Sequence, residues 1–283
     1  MITHIFRKDM QTGEVDLCSC AVSGIPADRT CDSPSISADG RYVAFSSTST
    51  NLDPAVTSHN QVFRKDMQTG EIDLCSCTAS GTPGDGDSNS PSISADGMYV
   101  AFRSDVHNLY VPELPLHSPQ ILRKNCITGK IVVCSSLESG REFNSPCYAP
   151  SINADGRYVA FHENMGNVYW KDLQTGELAM ASSYGSDVST DGYCIYPSIS
   201  ADGRYVAFEA SGSDLNPEGS LIHRIFRKDL ETGEIKLCSS DVSWNAGNLS
   251  SRYPSISSDG RYVAFQSGAS NLIPGVTSTY AQA

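Results

Sequence analysis

The sequence predicts an all-β fold: a five-bladed β-propeller of four-stranded antiparallel blades, its ring closed by N- and C-terminal strands that share one blade. Three observations predict it. The stretch Pro197-Ser-Ile-Ser-Ala-Asp-Gly-Arg-Tyr-Val-Ala-Phe208 occurs five times with few changes. A second block, Phe63-Arg-Lys-Asp-Met-Gln-Thr-Gly-Glu-Ile-Asp-Leu-Cys75, recurs equally often. The incomplete pieces at the two ends add up to one further repeat.

Spacing makes the repeat quantitative. The Asp of the Asp-Gly pair falls at Asp39, Asp96, Asp155, Asp202 and Asp259, at intervals of 57, 59, 47 and 57 residues. From the start of the second block (Phe6, Phe63, Leu122, Tyr169, Phe226) to its end (Cys18, Cys75, Cys134, Ala181, Cys238) the step is always 12. From there to Pro34, Pro91, Pro150, Pro197 and Pro254 it is always 16, and from each Pro to the motif's final Phe always 11. One segment varies: from that Phe to the next block it runs 18, 20, 8 and 18 residues.

Each repeat reads as four strands. Pro34-Ser-Ile-Ser is strand A, and Asp39-Gly40 reads as a two-residue hairpin turn with Gly at positive φ. Arg41-Tyr-Val-Ala-Phe-Ser is strand B, apolar without alternation, as expected where both sheet faces are covered. After a long loop comes strand C, Val62-Phe-Arg-Lys-Asp. Thr69-Gly70 marks the next turn, and Glu71-Ile-Asp-Leu-Cys is strand D. The chain starts at strand C and ends after strand B and its loop. Residues 1–283 are therefore expected to form one propeller domain. Its blades span 32–77, 90–136, 149–183 and 196–240, and the fifth joins 253–283 to 2–20.

The pattern Ser200-x-Asp-Gly-Arg-x-Val-Ala-Phe208, with Arg64-x-Asp-x-x-Thr-Gly-Glu71 in the second block, resembles the WD40-like (PD40-type) repeat of TolB-like propellers. The resemblance covers the whole chain. It implies a propeller fold and a scaffold that is mostly used for binding, while leaving the ligand open.

A formal charge of −12 and a pI near 4.8 argue against nucleic acid as a partner, because phosphate binding needs a basic face. The same charge disfavours an anionic membrane surface, and no apolar run is long enough to insert in a bilayer. Met1-Ile-Thr-His-Ile-Phe-Arg-Lys lacks the basic and apolar regions of a signal peptide, which points to the cytoplasm. A chain trimmed from a longer precursor would point to the periplasm or beyond the cell. A monomer is expected.

The A–B and C–D turns share one side of a meander, and the B–C loops and D–A connectors share the other. The first side is copied unchanged, while the second differs between repeats, so function is expected on this loop face and the mouth of the central channel. The third repeat's short B–C segment, His162-Glu-Asn-Met-Gly-Asn-Val, suggests a notch there flanked by Tyr148, Trp170, Tyr193 and Tyr196. With Trp244 and Tyr253, these aromatics are the candidate ligand contacts, since aromatics on a polar rim suit a sugar or a peptide. A Ser five residues past strand D persists (Ser23, Ser80, Ser139, Ser186, Ser243) and reads as a turn-forming hydroxyl.

The ten cysteines point to several chemistries. Cys18, Cys75, Cys134 and Cys238 occupy equivalent sites too far apart on a ring for disulfides among themselves, so they read as small buried thiols. Cys31, Cys147 and Cys194 also align and are a candidate thiol cluster. Cys18-x-Cys20 and Cys75-x-Cys77 are a weak metal signal. Asp85-Gly-Asp87-Ser-Asn89 resembles the start of a calcium loop without its distal Glu, which makes calcium or another ion the one candidate cofactor. His4, His59, His117 and His223 precede strand C and read as solvated loop histidines. Asp32, Glu142 and Asp187 are carboxylates that could meet as an acid/base pair. No catalytic signature appears. The reading that results is a non-catalytic module binding a protein or glycan. A multivalent lectin with one site per blade is the first alternative, and a glycan-active hydrolase with a carboxylate pair is the second.

Overall fold

The computed structural model describes residues 1–56, 58–109, 119–140, 143–183, 192–212, 215 and 222–275. Among these the regular elements are twenty β-strands, so no described helix is long and apolar enough to cross a membrane. The chain divides into two compact units, residues 1–159 and 160–283.

The first unit opens with a hairpin of β1 (Phe6–Lys8) and β2 (Val15–Leu17). A four-stranded antiparallel sheet follows in chain order: β3 (Cys31–Ile36), β4 (Tyr42–Ser47), β5 (Gln61–Asp66) and β6 (Ile72–Leu74). The next sheet repeats it with β7 (Ser88–Ile93), β8 (Tyr99–Ser104), β9 (Gln120–Asn125) and β10 (Ile131–Val133). The third repeat supplies β11 (Cys147–Ile152), β12 (Tyr158–Glu163), β13 (Val168–Asp172) and β14 (Leu178–Met180), and the unit boundary falls within β12. The second unit continues with a complete sheet: β15 (Cys194–Ile199), β16 (Tyr205–Ala210), β17 (Arg224–Asp229) and β18 (Ile235–Leu237). It ends in a hairpin of β19 (Ser251–Ile256) and β20 (Val263–Ser267). The four strands that the sequence assigns to a shared fifth blade are thus present as two two-stranded sheets.

The expected meander is the observed one, with two local differences. Strand A starts three residues earlier than expected, at Cys31 and its equivalents, because a β-bulge lets the chain keep pairing beyond Pro34. The Asp-Gly turn is a four-residue loop. Ser37 N donates to Tyr42 O at 2.9 Å, so residues 38–41 form the connection. Asp39 holds it, its Oδ1 accepting from Ser37 Oγ at 2.6 Å and Arg41 N at 3.0 Å.

Core packing comes from the motif's own residues. Phe45, Phe63, Phe102 and Phe208 are fully buried, as are Val100 and Val206. Neighbouring repeats are tied by one recurring bond to a turn glycine 33 residues on. Arg7 Nη1 donates to Gly40 O at 2.8 Å, Arg64 Nη1 to Gly97 O at 2.6 Å, and Arg227 Nη1 to Gly260 O at 2.6 Å. Arg123 bonds Gly156 O in the same way. The glycine is required there. A Cβ on Gly97 would lie 2.1 Å from Tyr42 Cδ2, and Arg64 stacks 4.6 Å over that same ring.

Candidate functional site

The bulge in strand A is where repetition and variation meet. Register shifts between Asp32 and Ser35, Asn89 and Ser92, Ile195 and Ser198, and Arg252 and Ser255. The residue inside the bulge has positive φ in all five repeats: Ser33 (53°), Ser90 (53°), Ala149 (48°), Tyr196 (52°) and Tyr253 (55°). Left-handed backbone costs an L-residue roughly 1–2 kcal/mol, and bulky side chains rarely adopt it. The scaffold imposes this geometry everywhere, but only the fourth and fifth repeats place a tyrosine on it.

Those tyrosines come together. The rings of Tyr196 and Tyr253 lie 5.4 Å apart, tilted by 52°, and are 41% and 56% exposed. His162 meets Tyr196 edge-on at 5.9 Å. Burial holds the His162 imidazole well below its ordinary pKa, at about 4, so it is neutral at pH 7.

Behind the tyrosines lies a charged cluster. Glu209, the residue after the motif's Phe208, is fully buried at the end of β16. Its Oε2 accepts the backbone N–H of Tyr253 at 3.2 Å. Its Oε1 is 2.7 Å from His223 Nδ1, off the line of a good ring N–H hydrogen bond, and 3.8 Å from Arg252 Nη1. Arg252 remains 46% exposed and His223 23%. The buried carboxylate is thus offset by two potential cations and also tethers the strained backbone at Tyr253. At the equivalent position the other repeats carry Ser46, Arg103, His162 and Gln266. In the first unit Arg103 instead stacks over Tyr148 at 5.2 Å.

The structure thus joins Tyr196 and Tyr253 of the candidate aromatics and puts Tyr148 in a separate arginine contact. Trp170 is packed into the scaffold. It is 9% exposed, and its Nε1 donates to Gly203 O at 2.9 Å, the bond that arginine makes in the other repeats. Trp244 is exposed on its connector with φ 66°, and the four residues joining β12 to β13 form a tight turn over which exposed Tyr193 lies. That turn closes with Gly166 N donating to Glu163 O at 2.9 Å and Glu163 N to Asn167 O at 3.0 Å.

Other candidates resolve into scaffold. Asp85 Oδ1 accepts the backbone N–H of His107 at 2.7 Å, and Asn108 Nδ2 donates to Pro83 O at 2.8 Å. Asp28 with Asn51, and Asn248 with Asn271, make the same lock between connector and B–C loop. Asp87 accepts from Asn60 N at 2.8 Å and lies 3.7 Å from exposed His59, while Asn89 pairs with Arg103 in the sheet. Among the described residues no group of three His, Cys, Asp or Glu is placed to share an ion.

Cys31, Cys147 and Cys194 hold one repeated position. Each is buried at the head of its own strand A, where Ser88 and Ser251 stand in the other repeats, and Cys31 Sγ bonds Ser47 Oγ at 3.3 Å. Cys20 and Cys77 likewise bond the carbonyls of Leu17 and Leu74. Asp32 is exposed in β3; Glu142, Asp187, His117 and Ser186 lie outside the described residues. The expectation of a solvated loop histidine fails for His223, because the carboxylate of the preceding strand B draws it inward. Sequence reasoning missed Glu209 and Arg252 altogether. The available signal was the variable residue that follows an invariant Phe.

No family model matches the chain, and no curated protein matches it. Solved structures do. TolB from Acinetobacter baumannii is similar at 18% identity and a TM-score of 0.52, over 92% of this chain and 53% of that one. An oligogalacturonate lyase in complex with manganese is similar at 14% identity and a TM-score of 0.55, over 92% of this chain and 67% of that one. The chain spans about half the length of that TolB. The likeness establishes the fold, a TolB-like β-propeller of repeated four-stranded blades.

Proposed function

We propose that this propeller is a non-catalytic binding module that holds a glycan on Tyr196 and Tyr253, with Arg252 as hydrogen-bond donor and Glu209 and His223 as the support behind it. The observation that carries the reading is the pair of exposed tyrosines on left-handed backbone, 5.4 Å apart and backed by a buried carboxylate. Strained, bulky residues persist where surrounding structure over-determines them, and that is a mark of functional sites. Two amphipathic rings offer apolar faces to a sugar's C–H surface, and the guanidinium serves its hydroxyls.

The alternatives fare less well on the same observations. A lectin with one site per blade needs equal pockets, yet the five bulge positions carry Ser, Ser, Ala, Tyr and Tyr. A glycoside hydrolase works through two carboxylates, whereas Glu209 is engaged by His223, Arg252 and the Tyr253 amide.

The other repeats supply the mutants for the test. Ser33 and Ser90 hold the same backbone as Tyr196 and Tyr253, so Tyr196→Ser and Tyr253→Ser preserve the fold. A glycan array is probed with the wild-type chain and with the double variant. Retention of a defined glycan subset by the wild type, lost in the variant, supports the site. Equal retention by both, or retention of none, overturns it.

A further inference from the structure

The first unit contains a cavity of about 450 Å³, distant in sequence from the tyrosine site, lined by Cys75, Cys77, Cys126, Lys124, Asp73 and the turn at Gly129. Three thiols and an ammonium share it. Cys75 is fully buried at the end of the first repeat, and Cys126 packs against the apolar cluster to which Cys75 belongs. Lys124 Nζ lies 2.8 Å from Cys77 Sγ and donates to the carbonyls of Leu74 and Cys77 at 3.2 Å. Arg64 is close by, its Nη2 bonded to Asp73 Oδ2 at 2.5 Å.

Comparison across repeats shows what is particular here. The residue just after strand C is Met10, Met67, Leu173 and Leu230 in the other repeats and Cys126 in this one. In the preceding repeat the same packing sets Met67 against the cluster that holds Cys18. Substituting cysteine for that methionine places a second sulfur against a strand-end thiol. Cys75, Cys77 and Cys126 are thiols, not joined in disulfides.

We propose that Cys126 and Cys75 form a peroxide-reactive dithiol, Cys126 as the attacking sulfur and Cys75 as the resolving one, with the cavity admitting a small hydroperoxide. In the first step the Cys126 thiolate attacks one peroxide oxygen. The O–O bond breaks, Cys126 becomes a sulfenic acid, and water or an alcohol leaves after taking the proton. In the second, the Cys75 sulfur attacks the sulfenic sulfur. An S–S bond forms, the S–O bond breaks, and water leaves. The sum converts two thiols and one hydroperoxide into one disulfide, one water and one water or alcohol.

The electrostatics assign the roles. The thiol of Cys75 is directed at Cys126, and with Arg64 and Lys124 it holds Cys126 below the ordinary thiol range. The same bond, together with burial, pushes Cys75 well above it. The less buried end of the pair is also the more acidic one, as a nucleophile requires.

The test is intact-mass and peptide mapping after limited hydrogen peroxide, with remaining thiols blocked by a maleimide. The wild type should lose 2 Da and two maleimide additions, and yield a Cys75–Cys126 linked peptide that a dithiol reductant reverses. Cys126→Met and Cys75→Ala install the residues that other repeats carry, and each should abolish the linkage. In Cys75→Ala the sulfenic acid should persist long enough for a dimedone adduct at Cys126. A linkage between other cysteines, oxidation spread evenly over the ten, or an unchanged 2 Da loss in Cys126→Met would overturn the proposal.

Discussion

Replacing Glu209 by alanine tests whether the buried carboxylate organises the tyrosine site. Breaking a buried charge pair by removing one partner costs roughly 3–5 kcal/mol, because the other charge is left desolvated. Here the partners are not fully buried. His223 is 23% exposed and Arg252 46%, so both regain water when the carboxylate goes. The expected loss is therefore about 2–3 kcal/mol, part of it from the orphaned Tyr253 amide. Glu209→Gln keeps an acceptor for that amide and should lose about half as much. Urea denaturation of the variants measures both losses. A cycle with His223→Ala should return a coupling of about 1–2 kcal/mol between the two side chains. The same change frees the strained backbone under Tyr253, so glycan affinity should fall about tenfold, or 1.4 kcal/mol. A Glu209→Ala loss below about 0.5 kcal/mol with zero coupling to His223 would refute the reasoning, since contacts in a buried cluster do not act independently.

Three further outcomes follow from the scaffold. Arg204 bonds Asp229 through Nε at 3.0 Å and Nη2 at 2.7 Å, and this holds the carboxyl down at about 2 from the ordinary 3.8. A depressed folded value means the stability is present above about pH 4 and is lost as pH falls toward 2. Because Arg204 is 37% exposed, the contribution is about 1 kcal/mol, and acid titration of Asp229→Asn should show that window flattened. Trp170→Ala should cost about 3–4 kcal/mol in urea denaturation, from lost packing and the lost bond to Gly203. Trp170→Arg should recover less than the double variant Trp170→Arg/Ala179→Asp, because Ala179 stands opposite Trp170 where Asp73 stands opposite Arg64. Gly166→Ala should destabilise the short turn, since φ is +88° and the new Cβ would sit 2.8 Å from Tyr193 Cα; a melting temperature equal to wild type would contradict this.

Much of the fold was legible because repeats align themselves. Fixed steps from Phe63 to Cys75, Pro91 and Phe102 placed strands to within a few residues, and the turn glycines marked their own positive φ. The bulge was hidden because its left-handed residue is Ser, Ala or Tyr, none of which announces that conformation. Trp170 looked like a rim aromatic because its role, standing in for an arginine 33 residues from a turn glycine, depends on contact between sheets. Tyr196 and Tyr253 could be found by residue type. Glu209 and His223 could not, because their contact is written in three dimensions between residues 14 apart, one in β16 and one just before β17. Cys126 was visible in principle as the one departure from Met or Leu at its position, but its partner, Cys75, belongs to the preceding repeat.

Stoichiometry tests the central claim most directly. Titration calorimetry of the strongest array glycan into the wild-type chain and into Tyr253→Ser should give one site per chain, with heat lost in the variant. A stoichiometry near five, or undiminished affinity in Tyr253→Ser, would contradict a single glycan site on the paired tyrosines.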